Sequence, residues 1–241
     1  DFETISVVAD GPVATLSLNR PDVRNAMNPA MIREITSAFE GFNTSDTIRV
    51  VVLRGEGKVF CAGGDLNWMR DVLGQTEQEV IDDSRHLLDM YRAINDSPKL
   101  VIVIIAEADT KFCVSEVKIG LVPGIIAAFI LPRIGTSWFR YLSKSAVLFD
   151  AETARTAGLI HEIAGGADDL ARRIDNHIRL GLSASPHAIA ETGNLINALG
   201  YRISEETLDN GLLYNAKARL SDTAQEGISA FLDKRPPPWA M

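Results

Sequence analysis

The chain has 241 residues, 46% apolar and 23% charged. These are the proportions of a soluble globular protein that buries a substantial core, as one domain or one domain with a helical extension. A net charge of −8 opposes non-specific nucleic-acid binding, which depends on neutralising phosphates, but leaves room for a local basic patch around one small anion. The two cysteines, Cys61 and Cys113, are too few for a disulfide framework and lack a metal-ligand spacing, so they read as buried small hydrophobes in a reducing compartment. No apolar run is long enough to span a membrane. No signal-peptide pattern is visible, although the start at Asp1 without Met leaves a removed organelle leader open.

Ile5 to Ala9 and Val13 to Leu18 read as strands joined at Asp10-Gly11, a strong hairpin signal. Asn19 to Asn28 carries turn residues without a period and reads as a loop. Pro29 can open a helix, and Met31, Ile32, Ile35, Ala38, Phe39 and Phe42 then keep helical spacing. Val50 to Leu53 reads as a buried strand, followed by a turn at Gly55-Glu56-Gly57. Next come Phe60-Cys61-Ala62-Gly63-Gly64-Asp65 and an amphipathic segment from Leu66, with Asp65 as its N-cap. Two adjacent glycines let a backbone approach a bound group closely, and free N–H groups at a helix start can hold developing negative charge. A Gly-Gly pair by itself, however, reads as a tight turn.

Glu77 to Ile94 reads as a long helix ended by Pro98, and Leu100 to Ala106 as a continuous apolar strand covered on both faces. Phe112 to Gly124 is loop-rich. Ile125 to Ile134 reads as a helix, Asp150 caps a short helix that Gly158 ends, and Leu159 to Ile163 is a strand candidate. From Asp168 the pattern is helical, interrupted near Ser185-Pro186 and Gly200, with a last helix from Ser221 to about Leu232. Strands alternating with helices imply an α/β core with a largely parallel sheet. The helical last third covers that core or meets another subunit.

FCAGGDL following VVLRGEGK resembles the first fingerprint of the enoyl-CoA hydratase/isomerase (crotonase) superfamily, and DTKFCVSEVKIGLVPG resembles the second. NRPDVRNAMN, LPRIG, LFDAETARTAGLIHEI and EGISAFLDKRPPPW are similar to its other landmarks, so the resemblance covers nearly the whole chain. DLNWM, KIGLVPGIIAAFIL and KRPPPW look most like the methylglutaconyl-CoA hydratase branch. The resemblance implies a spiral of ββα units over residues 1–164 and a helical trimerisation region over 165–241. It implies an acyl-CoA substrate, no cofactor beyond the substrate's own coenzyme A, and a homotrimer or hexamer without membrane or nucleic-acid partners. The expected location is the cytoplasm of a bacterium or a mitochondrial matrix.

The same resemblance makes Gly64 an oxyanion-hole N–H donor and Glu116 the catalytic carboxylate. Arg24, Asn25 and Ala26 would run along the coenzyme, Ala62, Gly63, Asp65 and Leu66 would form the thioester loop, and Trp68 would line the acyl pocket. Phe231 and Lys234 would bind CoA, in some members across a subunit boundary. From the residues alone, Trp68 reads equally well as core, a loop glutamate usually pairs with a cation, and single surface cations such as Arg24 and Lys234 are more often solvated than phosphate-bound. Asp65 reads as a cap rather than a second catalytic carboxylate.

One departure stands out. After Pro98-Lys99 the family runs through a strand into a Gly-rich turn that supplies the second oxyanion donor. Here Leu100-Val101 runs directly into Ile102 to Glu107. A parallel crossover normally needs about a dozen connecting residues. That favours a segment left out near 101–105 over a true deletion, which would remove half of the oxyanion hole.

The four histidines form no metal spacing, Ser115 sits in no G-x-S-x-G elbow, and Arg54 to Lys58 lacks the P-loop pattern. A metalloenzyme, a serine hydrolase and a nucleotide-binding loop are therefore poorly supported. An enoyl-CoA hydratase is expected. An isomerase or acyl-thioester decarboxylase on the same fold is the alternative, and a non-catalytic acyl-CoA-binding or scaffold homologue is the alternative of another class.

Overall fold

The computed structural model describes residues 2–71, 75–103 and 105–240, without the side chains of Leu66 and Tyr201. The hairpin at Asp10-Gly11 forms as expected. β1 (Ile5–Asp10) and β2 (Val13–Leu18) pair antiparallel, and Gly11 takes the left-handed φ of 54° that the turn requires. β3 (Val50–Gly55) and β4 (Leu100–Ile102) add in parallel, in the order β1-β2-β3-β4. The largely parallel sheet follows from the uninterrupted apolar run of β3, whose first four residues are all buried.

The chain gathers into two compact units. One holds Asp1–Gly64, Asp89–Glu107 and Ala164–Arg202, and the other Asp65–Leu88, Ala108–Ile163 and Ile203–Met241. In the first, α1 (Pro29–Thr44) is capped by Asn28, whose side chain accepts the Met31 N–H at 2.9 Å. Its predicted apolar face, Met31 through Phe42, is buried. Val50, Val52 and Ile102 form a core against Ile174, Ile178 and Leu182 of α6 (Ala167–Ser183). Gly181 is the point of closest approach, since an added Cβ would stand 2.6 Å from Leu100 Cδ2. α7 (Pro186–Ile196) follows, capped by Ser185.

The second unit contains α2 (Leu66–Arg70), the first part of α3 (Glu77–Asn95), α4 (Gly124–Ser145), α5 (Ala151–Thr156), α8 (Glu205–Arg219) and α9 (Asp222–Leu232). α4 and α8 meet glycine to glycine. A Cβ on Gly124 would fall 2.5 Å from Gly211 O, and one on Gly211 would fall 2.7 Å from Gly124 O.

Three sequence expectations change. The strand expected over Leu100 to Ala106 is two, β4 and β5 (Ile105–Glu107), with Ile104 outside the described residues. The helix from Ile125 does leave helical geometry at Gly135 (φ 70°, ψ 166°), three residues after Pro132, but resumes to Ser145. After β6 (Lys111–Phe112) and β7 (Phe149–Asp150), which pair antiparallel, the strand expected at Leu159 to Ile163 is β8 (Glu162–Ala164). Gly158 is left-handed there (φ 83°) and Leu159 N–H still bonds to Ala154 O, so the first residues of that apolar run close the helix instead.

The glycine pair between α4 and α8 gives a direct test. In an exposed helix Gly211→Ala would gain about 1 kcal/mol. Here the methyl meets backbone, which cannot rotate away, so a net loss of about 1–2 kcal/mol is expected in urea unfolding. A stabilised variant would refute the close contact.

Candidate active site

The loop of residues 19–28 is organised around Asn25. Its side chain is fully enclosed, accepts the Arg20 N–H at 2.8 Å, and donates to Glu56 O at 2.9 Å and Val59 O at 2.7 Å. Arg24 and Asn25 both take left-handed φ, 56° and 54°. The turn they make lays the chain beside the glycine loop. Ala62 N–H donates to Arg24 O at 3.0 Å, Met27 N–H donates to Gly63 O at 2.8 Å, and Met27 and Gly64 form a parallel bridge. Two stretches singled out in the sequence, 24–26 and 62–64, are thus brought together.

Gly63 has φ 91°, a conformation L side chains rarely adopt. Among the described residues Gly64 N–H donates to no acceptor. Cys61 Sγ accepts the Gly63 N–H at 3.4 Å, and burial pushes its thiol pKa up; against the sequence reading of two buried cysteines, Cys61 is only partly buried and Cys113 is exposed. Asn25 has no exposed surface and its side-chain bonding is internal, so the structure does not present it to a ligand as the resemblance implied. Arg24 projects an exposed side chain, while Ala26 O accepts from Arg20 Nη1 at 2.5 Å.

In the second unit Asp65 caps α2, accepting the Asn67 N–H at 2.9 Å, as the sequence suggested. At five residues α2 is too short to act as an anion site through its dipole. The side chain of Leu66 lies outside the described residues. Trp68 is tied into the protein: its indole N–H donates to both Asp83 oxygens at 3.0 and 2.9 Å, and the Arg219 guanidinium stands 5.1 Å from the ring centroid. Arg219 is buried, pairs with Asp83 at 3.0 Å and donates to Ser84 Oγ. Burial lowers its pKa, with Asp83 opposing the shift. This group was not visible in the sequence, because Asp83 and Arg219 lie 136 residues apart and neither belongs to a motif.

Glu116 opens a tight helical turn, Glu116–Ile119, inside the stretch read as loop. The turn rests on α9 backbone to backbone. A Cβ on Gly120 would meet Thr223 O at 2.7 Å, and one on Gly227 would strike the Ile119 carbonyl. One Glu116 oxygen, Oε2, is buried with no hydrogen-bond partner among the described residues. Burial raises its carboxyl pKa, opposed by weaker bonds from the Glu116 and Ser115 backbone. The turn therefore presents a carboxyl group that holds its proton more tightly than usual. Phe231 and Lys234 have exposed side chains at the C-terminal end of α9, where Lys234 N–H bonds to Phe231 O at 3.2 Å. Among the described residues no group of three or more His, Cys, Asp or Glu could hold a metal ion, and no helix is long and apolar enough to cross a membrane.

A parallel-sheet α/β protein with a glycine loop and a buried glutamate of raised pKa is the class these features define. Comparison with known proteins narrows it. The profile of the enoyl-CoA hydratase/isomerase family matches residues 9–106 and 102–241, and the chain belongs to that family. It is 30% identical to 1,2-epoxyphenylacetyl-CoA isomerase of Escherichia coli, over 93% of this chain and 94% of that protein. It is 28% identical to 2,3-dehydroadipyl-CoA hydratase of the same organism, over 93% and 94%. An enoyl-CoA hydratase from Shewanella pealeana superposes with a TM-score of 0.79 at 31% identity, covering 99% of this chain and 96% of that one.

The two family matches share residues 102–106, where the Gly-rich turn was missed in the sequence. The alignments with the two Escherichia coli proteins run over 254 and 249 residues, more than the 241 of this chain, so relatives carry positions that have no counterpart here.

The raised pKa of Glu116 makes a stability prediction. The folded state holds its proton more tightly than the unfolded chain, so this group's contribution is intact at low pH and is lost as pH rises through the folded pKa. Glu116→Gln should therefore raise Tm at neutral pH, and the gain should shrink as the pH falls below the wild-type carboxyl's pKa. A Tm difference independent of pH would remove burial as the cause.

Proposed function

We propose that this protein is an enoyl-CoA hydratase, adding water across the 2,3-double bond of an acyl-CoA. Gly64 N–H would polarise the thioester carbonyl as negative charge builds on its oxygen, and Glu116 would move the proton. The observation that carries the reading is the buried, unpartnered oxygen of Glu116 on a chain of this family. A carboxyl group left unsatisfied in an apolar setting is a cost, and proton transfer explains why it is kept. Ala62 and Gly63 would form the loop beside the thioester. Arg24 and Lys234 would face CoA phosphates, and Phe231 the adenine. Coenzyme A enters as part of the substrate and no separate cofactor is needed. With both cysteines free, a reducing compartment, cytoplasm or matrix, suits the chain.

A second reading, double-bond isomerisation, is favoured by the isomerase among the relatives and by a single glutamate in view. Purified protein given a 2-enoyl, a 3-enoyl and a carboxylated glutaconyl thioester should release a 3-hydroxyacyl product from the first. Glu116→Gln should lower that turnover about 100- to 10,000-fold while CoA-ester binding persists. Near-normal turnover would sink the role of Glu116. A wild-type protein that binds CoA esters and turns over none of them would make it a binding homologue.

Self-association as a trimer or dimer of trimers belongs to the same reading. α7 buries none of its residues, and Leu195, Ile196 and Leu199 are each at least half exposed, a run of apolar surface that an assembly would cover. Sedimentation at micromolar concentration should show trimers or larger. Monomers alone would count against the assembly.

A further inference from the structure

We infer that Asn25 is a positioning residue for the Gly64 N–H, acting through Met27 and the Gly63 carbonyl. The inference rests on the proposed oxyanion role of Gly64. A trans peptide is planar, with its C=O and N–H pointing in opposite directions, and the described chain has no cis peptide. Gly63 O and Gly64 N–H belong to one such plane. Met27 N–H holds Gly63 O at 2.8 Å, so the Gly64 N–H is turned to the opposite side, and there it has no acceptor among the described residues.

Gly63 cannot fix this plane itself, because a glycine at φ 91° has many alternatives close in energy. The restraint must come from the neighbouring loop. That loop has no regular structure of its own between Arg24 and Met27, and its left-handed pair, Arg24 and Asn25, is unfavourable without support. Support comes from the Asn25 amide. It is wholly buried and joins three separate backbone positions, Arg20 N, Glu56 O and Val59 O. Two of these lie on the segment leading into the glycine loop. One side chain therefore sets the register between residues 24–27 and 62–64, and through it the direction of one N–H bond.

Asn25→Gly removes the amide while keeping the left-handed backbone at ease. Asn25→Asp keeps the size and the acceptor for Arg20 N–H but loses both donors. The probe is 4-dimethylaminocinnamoyl-CoA, whose absorption reddens as its carbonyl is polarised. Wild-type protein should redden it. Either variant should bind it with nearly unchanged Kd, lose most of the reddening, and show kcat reduced about 10- to 100-fold on a 2-enoyl thioester with KM little altered. A variant that reddens the probe as wild type does overturns the positioning role alone. A wild-type protein that binds the probe without reddening it overturns the Gly64 reading and this inference with it. Hydrogen exchange on unaltered protein decides the point if neither variant folds. The Met27 amide should exchange far more slowly than exposed loop amides, and rapid exchange there would overturn the inference.

Discussion

A glycine peptide plane left to itself points nowhere in particular, and the hydrogen bond from Met27 N–H to Gly63 O removes that freedom. The loop of residues 19–28 serves this bond more than its own stability. It has no regular element between Arg24 and Met27, accepts two left-handed residues in succession, and is paid for by one enclosed amide with three backbone partners. The sheet contributes indirectly. β2 and β3 run parallel in fixed register, so their C-terminal ends deliver the two loops side by side. This is the familiar placement of ligand loops at the carboxyl ends of parallel strands.

In the second unit three buried side-chain atoms, Gln75 Oε1, Glu116 Oε2 and Arg219 Nη2, have no hydrogen-bond partner among the described residues. Glu116 sits on a turn pressed against α9 by glycine contacts at Gly120 and Gly227, too close for side chains or for water to intervene at those points. Nearby in the same unit, charge is handled conventionally: Asp83 neutralises the buried Arg219, and both hold Trp68. Removing either partner of that pair would leave an uncompensated charge.

Much of this was legible in the sequence, and for identifiable reasons. Asp10-Gly11, Pro29, Asp65 and Asp150 are local signals, and each does locally what its chemistry requires, as a turn, a helix start or a cap. The glycine loop and Glu116 were singled out by resemblance to a family rather than by periodicity. What escaped were long-range pairings. Asn25 could be named as a site residue but not as an internal staple, because its partners Glu56 and Val59 are more than thirty residues away. Asp83, Ser84 and Arg219 carry no motif at all. The helical turn at Glu116 was hidden because four residues are too few to show a period, and the apolar run at 100–107 hid a boundary because a buried strand has no alternation to break.

The left-handed backbone at Arg24 has a consequence for anyone engineering this chain for heat resistance. Glycine tolerates that conformation and arginine does not, so Arg24→Gly would look like an obvious improvement, with the relieved strain of about 1–2 kcal/mol partly offset by the greater freedom of an unfolded glycine. Yet Arg24 O accepts the Ala62 N–H at 3.0 Å, so the same left-handed turn seats the glycine loop, and a glycine there is free to leave that conformation. Heat resistance and the seating of the loop compete for the same residue, and a selection for one alone would erode the other.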